Sequence, residues 1–179
     1  MPRKDIDELR ALNVPWITKD GYLDPARLPI EVTLAEAVGN DAEKFRNACR
    51  VLAMMASGGR IEAGIFLCGL LRHCGDDLRK KESVAEALGG VRTRASAQTL
   101  FEELERTESS NTTRVYINAV LKALRGFPPE LVRDRFEGLM SDPKWSYKMK
   151  QKFEDILYGI EFDIRRRKAY QAGDADPSL

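Results

Sequence analysis

From Asn40 to Lys168 apolar residues recur at spacings of three and four, the period of amphipathic helices, and short clusters of Gly, Pro and Asx punctuate them. Asn40, with Glu43 at the capping-box position, predicts the start of a helix running to about Ser57 and ended by Gly58-Gly59. A second runs from Arg60 to His73 and closes at Cys74-Gly75. Asp76 or Asp77 caps a third that stops at Leu88-Gly89-Gly90, and Thr93 opens a fourth carrying Leu100, Phe101 and Leu104. Ser110 or Asn111 caps a fifth, with Ile117, Val120, Leu121 and Leu124 on one face. Pro128-Pro129 suits a first turn, which needs no amide donors, and starts the sixth. Asp142-Pro143 starts the seventh and longest, with the stripe Met149, Phe153, Ile156, Ile160 and Ile164. Short connections make consecutive helices antiparallel neighbours.

Before Asn40 the text is less regular. Ile6, Leu9 and Leu12 give a short amphipathic helix over Arg3–Leu12. Pro15, Gly21, Pro25 and Pro29 then interrupt the chain, and Trp16 to Leu23 fits either a small hairpin around Asp20-Gly21 or an irregular wrap anchored by aromatics. A short helix from Thr33 to Val38 stops at Gly39. Residues 169–179 offer no apolar face and are expected to be disordered. The expected organisation is a capping segment over 1–39, a helical domain over 40–168 and a tail.

Leu52, Leu88, Leu124 and Ile156 occupy corresponding places in alternate helices, 36, 36 and 32 residues apart. A two-helix unit cannot bury its own apolar face, so such units stack on their neighbours. The run Asp142-Pro143-Lys144-Trp145-Ser146-Tyr147-Lys148, continuing to Phe153 and Ile156, resembles the DPxxxVR opening of HEAT and armadillo-like repeats. Asp41 to Leu52, with Phe45-Arg46 and Ala48, is similar, and Ala87-Leu88-Gly89 resembles the ALG ending. Two departures stand out: Lys80 and Lys81 fall where an apolar residue is expected, and the spacing is shorter than the family's roughly 40 to 47 residues. The resemblance implies an all-α fold, a right-handed stack of antiparallel helix pairs, with an orthogonal helical bundle as the alternative. It also implies a non-enzymatic scaffold that binds another protein on a surface lined by the second helix of each unit. Arg94, Gln98, Arg133 and Glu137 are the polar positions expected there.

Composition narrows the classes without choosing among them. The chain has 179 residues, 43% hydrophobic and 32% charged: enough apolar content to fold, and no uncharged stretch near the roughly 18 residues of a membrane span. A cytoplasmic location is expected by default. Cys49, Cys68 and Cys74 lie in apolar helical runs and are expected to be inert thiols. His73, the only histidine, does not converge with Cys68 and Cys74 as zinc requires, and fits a helix C-terminus instead. The paired carboxylates Asp76-Asp77, Glu102-Glu103 and Glu154-Asp155 are expected on caps or solvent faces, which gives no raised pKa for acid/base work. Gly58-Gly59 and Gly89-Gly90 lack a phosphate-loop context and read as helix terminators. No enzyme, metal or cofactor is expected.

The net charge is +1, yet residues 112–168 hold 13 Lys or Arg against 8 Asp or Glu. Lys144, Lys148 and Lys152 recur at intervals of four, and Arg165-Arg166-Arg167-Lys168 ends the last helix. Such a stripe could follow nucleic-acid phosphates, with Trp145 or Tyr147 stacking on a base; the opposing reading is a solvated face whose cations complement the helix dipole. Self-association through a terminal helix is a third route, because end units of a stack expose a packing face.

Overall fold

In the computed structural model, residues 15–20 and 22–171 are described, the last five without their side chains. The expected helix over Arg3–Leu12 and the end of the tail lie outside them. Among the described residues, eight α-helices follow a 3-10 turn at Pro25–Arg27: α1 Ile30–Ala37, α2 Ala42–Ser57, α3 Ile61–His73, α4 Leu78–Val91, α5 Arg94–Arg106, α6 Arg114–Arg125, α7 Pro129–Ser141 and α8 Tyr147–Gln171. Trp16 to Leu23 forms an isolated antiparallel bridge, Ile17 to Leu23; Thr18 donates its amide to the Tyr22 carbonyl at 2.8 Å.

Local chemistry explains the helix starts. Asp41, rather than Asn40, caps α2, its carboxylate accepting from the amides of Glu43 and Lys44. Those bonds, that of Lys44 foremost, hold the Asp41 carboxyl below its ordinary pKa. Asp77 caps α4, and Thr93 with Ser96 closes a capping box on α5. Two starts come later than the sequence suggests. At α6 the hydroxyls of Ser110 and Thr113 hold a turn together first. At α8, Asp142 accepts from the Lys144 amide at 2.8 Å in a turn that buries Trp145, and the helix begins only at Tyr147.

Gly58-Gly59 does end α2, with Gly59 at φ 99° where only glycine is unstrained. Gly89-Gly90, read as a terminator, lies inside α4, which continues to Val91 and leaves at Arg92, φ 52°. The reason is packing: a Cβ on Gly89 would stand 3.0 Å from the Ala123 Cβ and 3.1 Å from its Cα, so the bare backbone admits α6.

The chain divides into two compact units, Met1–Ala123 and Leu124–Leu179. In the first, α2 packs against α1, α3 and α4, while α3 and α4 each also pack against α5. The most extensive of these contacts joins α2 to α4, which are not consecutive in sequence. Leu52, Leu67, Leu88 and Leu100 are fully buried there, each contributing roughly 1.5–3 kcal/mol by transfer from water. Arg60 closes the entry to α3: its guanidinium pairs with Glu62 and donates to the carbonyls of Ala26 and Leu28, tying the 3-10 turn to the helix start. In the second unit α7 packs on α8. Phe136 lies 5.9 Å and Trp145 5.4 Å, edge-on, from the Phe153 ring.

Candidate interaction surfaces

Glu103 overturns the expectation that the paired carboxylates face solvent. Its side chain is 1% exposed, and both oxygens are engaged: Arg106 donates to Oε1 at 3.1 Å, and Lys81 at 2.8 Å and the Tyr116 hydroxyl at 3.1 Å donate to Oε2. Lys81, itself only 14% exposed on the side chain, also stands over the Tyr116 ring at 5.7 Å. Burial, then the Glu103 charge, pushes the Tyr116 phenol well above its ordinary pKa. The lysine that looked like a break in the repeat pattern is thus the partner of a buried carboxylate. With both oxygens engaged, Glu103 joins α4, α5 and α6.

All three cysteines are free; Cys49 and Cys68 are buried and Cys74 is half-buried. Burial pushes Cys49 up to about 12 and Cys74 up to about 11, which disfavours the thiolate a nucleophile needs. His73 is the last residue of α3, beside the Cys74 C-cap. Among the described residues, no group of three His, Cys, Asp or Glu side chains is placed to hold a metal ion. No described helix is long and apolar enough to cross a membrane.

The outer face of α3 exposes large apolar side chains. Ile61 and Ile65, 74% and 63% exposed, lie one turn apart, and Gly69 on the same stripe has open space where a Cβ would be. At the end of that stripe Arg72 pairs with Glu102 of α5 at 2.8 Å, and Gln98 donates to the other Glu102 oxygen at 2.9 Å. The hydrogen bonds from Arg72 and then Gln98 hold the Glu102 carboxyl below its usual range. Of the four expected contact positions, Arg94 and Gln98 are exposed on α5 of the first unit, next to this ledge. Arg133, half-buried, and Glu137, exposed, belong to α7 of the second unit. Ile61, Ile65 and Arg72 are not singled out from the sequence, and Glu102 stands out there only as a paired carboxylate. A signal was present: Ile61-Glu62-Ala63-Gly64-Ile65-Phe66-Leu67 is apolar on both sides of the helix, more than one buried face requires.

The basic stripe is broken up. Lys144 precedes α8 and stands 5.1 Å over the Trp145 ring, Lys152 is half-buried, and Lys148 is exposed. Arg165 and Arg166 are exposed about 25 Å along the helix from Lys148, with Glu154, Asp155, Glu161 and Asp163 between them. Arg167 and Lys168 lie in α8, their side chains outside the described set. The base-stacking candidate Trp145 is buried, whereas Tyr147 is 75% exposed.

Comparison of the chain with protein-family models, with curated proteins and with solved structures returns no match in any of the three.

Proposed function

We propose that this chain is a non-enzymatic interaction scaffold that binds another protein along the outer face of α3 and α5. The observation that carries this reading is the pair Ile61 and Ile65, exposed side by side where a soluble helix ordinarily presents polar groups. Beside them the ledge of Arg72, Glu102 and Gln98 offers a pre-ordered polar border, the anatomy of an apolar interface centre with a polar rim. Arg94 extends that border at the start of α5. The architecture we propose with it is a HEAT or armadillo-like stack of helix pairs, α2 with α3 and α4 with α5. The packing of α2 on α4 and of α3 on α5, added to packing within pairs, supports that arrangement. Three free thiols fit a reducing, cytoplasmic setting.

The test is a photo-crosslinking residue placed at Ile65, with Glu86 on α4 as the control position and Lys148 as the probe of the basic helix. A discrete protein adduct from position 65 that Ile61→Asp abolishes supports the scaffold reading. Adducts no different from those at position 86 would overturn it. Nucleic-acid adducts at Lys148, with duplex affinity falling linearly in log salt and weakened by Lys148→Glu, transfer the function to α8.

A further inference from the structure

The outer face of α8 repeats its own complement in reverse order. Tyr158 and Phe162, 69% and 47% exposed, stand two residues before and two after Ile160, which is buried on the opposite side of the helix. Glu154 and Asp155 lie six and five residues before Ile160, and Arg166 and Arg165 lie six and five after it; all four are exposed. At about 100° per residue these six side chains fall within one outward arc of about 120°. Glu154 and Arg165 share one flank of that arc, Asp155 and Arg166 the other. A twofold axis opposite Ile160, perpendicular to α8, therefore sets Tyr158 against Phe162 of a second copy. It brings Glu154 level with the second copy's Arg165 and Asp155 level with its Arg166 to within one residue rise, on both flanks at once.

We propose that this face is an antiparallel, isologous contact between two copies of the chain, with the aromatic pairs at its centre and four ion pairs around them. The length of α8 points the same way. It has 25 residues against 13 in α7, the helix it packs on, and past Ile160 no described side chain is buried. A helical end of this length is marginal in water by itself, and a second copy laid across it supplies the missing packing. An ion pair that the face holds within the chain, Arg165 to Glu161 at 3.4 Å, is exposed at both ends and weak enough to be exchanged. The proposal concerns α8 alone and is independent of the α3 and α5 reading.

Sedimentation of the full chain at low salt, over a range of concentrations, tests it. The expected result is a monomer–dimer equilibrium with a dissociation constant on the order of 10 µM, suited to so small an interface. The variants E154K/D155K and R165E/R166E should each weaken dimerisation at least about tenfold, because every flank then sets like charges together. Mixed one to one, they should form a heterodimer of near wild-type affinity, since each then carries the complement of the other. All substituted side chains are exposed, so circular dichroism should show unchanged helix content. A chain that stays monomeric, dimerisation indifferent to either reversal, or a mixture that fails to restore it would overturn the proposal.

Discussion

The two compact units solve the same problem, fixing helices against one another, with different materials. In the first, the interior of α4, α5 and α6 contains a carboxylate, an ammonium group and a phenol whose hydrogen bonds have direction as well as strength. In the second, α7 and the start of α8 are fixed by aromatic shape, with Phe136 and Trp145 each against Phe153. The Trp145 Nε1 there is buried without a hydrogen-bond partner. A buried polar network selects one register among several that apolar packing would tolerate, but it makes that register costly to disturb. An aromatic cluster is more forgiving, because ring contacts can repack. The interior of the first unit thus holds a directional polar network, and the described packing of α7 on α8 is centred on rings.

The largest effect that sharpens this comparison is expected at Glu103. Glu103→Ala should destabilise the first unit by about 3 kcal/mol, since Lys81 and Tyr116 lose their partner inside the protein. Phe153→Leu in the second unit should cost at most about 1.5 kcal/mol. Amide exchange resolved by helix assigns each loss to its unit; a Glu103 variant no weaker than the Phe153 variant would erase the distinction. Next come the glycines. Gly89→Val should cost about 2 kcal/mol through collision with Ala123, whereas Gly138→Ala on α7, with open space at its Cβ, should gain about 0.5–1 kcal/mol. Urea midpoints of the two variants should move in opposite directions.

A pH dependence is expected in the first unit as well. Cys49, Cys74 and Tyr116 all hold their protons to higher pH when folded than when unfolded. Below the ordinary thiol value near 9 both states are protonated and stability is complete. As pH rises toward 11 and 12 the unfolded chain ionises first, so stability falls. Trp16 lies in the first unit and Trp145 in the second, so single-tryptophan variants can follow the units separately. The urea midpoint seen by Trp16 should drop between pH 8 and 10.5, and less so in Tyr116→Phe; an equal drop at Trp145 would mean that the thiols and phenol are not its source.

Much of the fold was legible because helices announce their ends locally. Thr93, Asp77 and Pro128-Pro129 act within one turn of the backbone they cap, and their positions agree with the structure. What stayed hidden depends on residues far away in sequence. Gly89 looks like a terminator until Ala123, on another helix, is seen to need its space. Lys81 looks like an intruder in an apolar pattern until Glu103 is found across the helix interface. Asp142-Pro143 has the composition of a helix start, yet burial of Trp145 holds the turn open for several residues more. The candidate surface was half visible: Arg94 and Gln98 could be placed on an outward face, but the exposure of Ile61 and Ile65 follows only from how α3 is packed.

Arg60 carries a consequence for how freely this chain can vary. Its guanidinium grips the stretch before α1 through two main-chain carbonyls, those of Ala26 and Leu28, groups that every amino acid possesses. Recognition of this kind ignores side-chain identity, so the grip itself is blind to substitutions at Ala26 and Leu28, while loss of the single arginine would remove both bonds at once. Mutational tolerance should therefore be lopsided across this joint, broad on the held side and narrow at the hand that holds it.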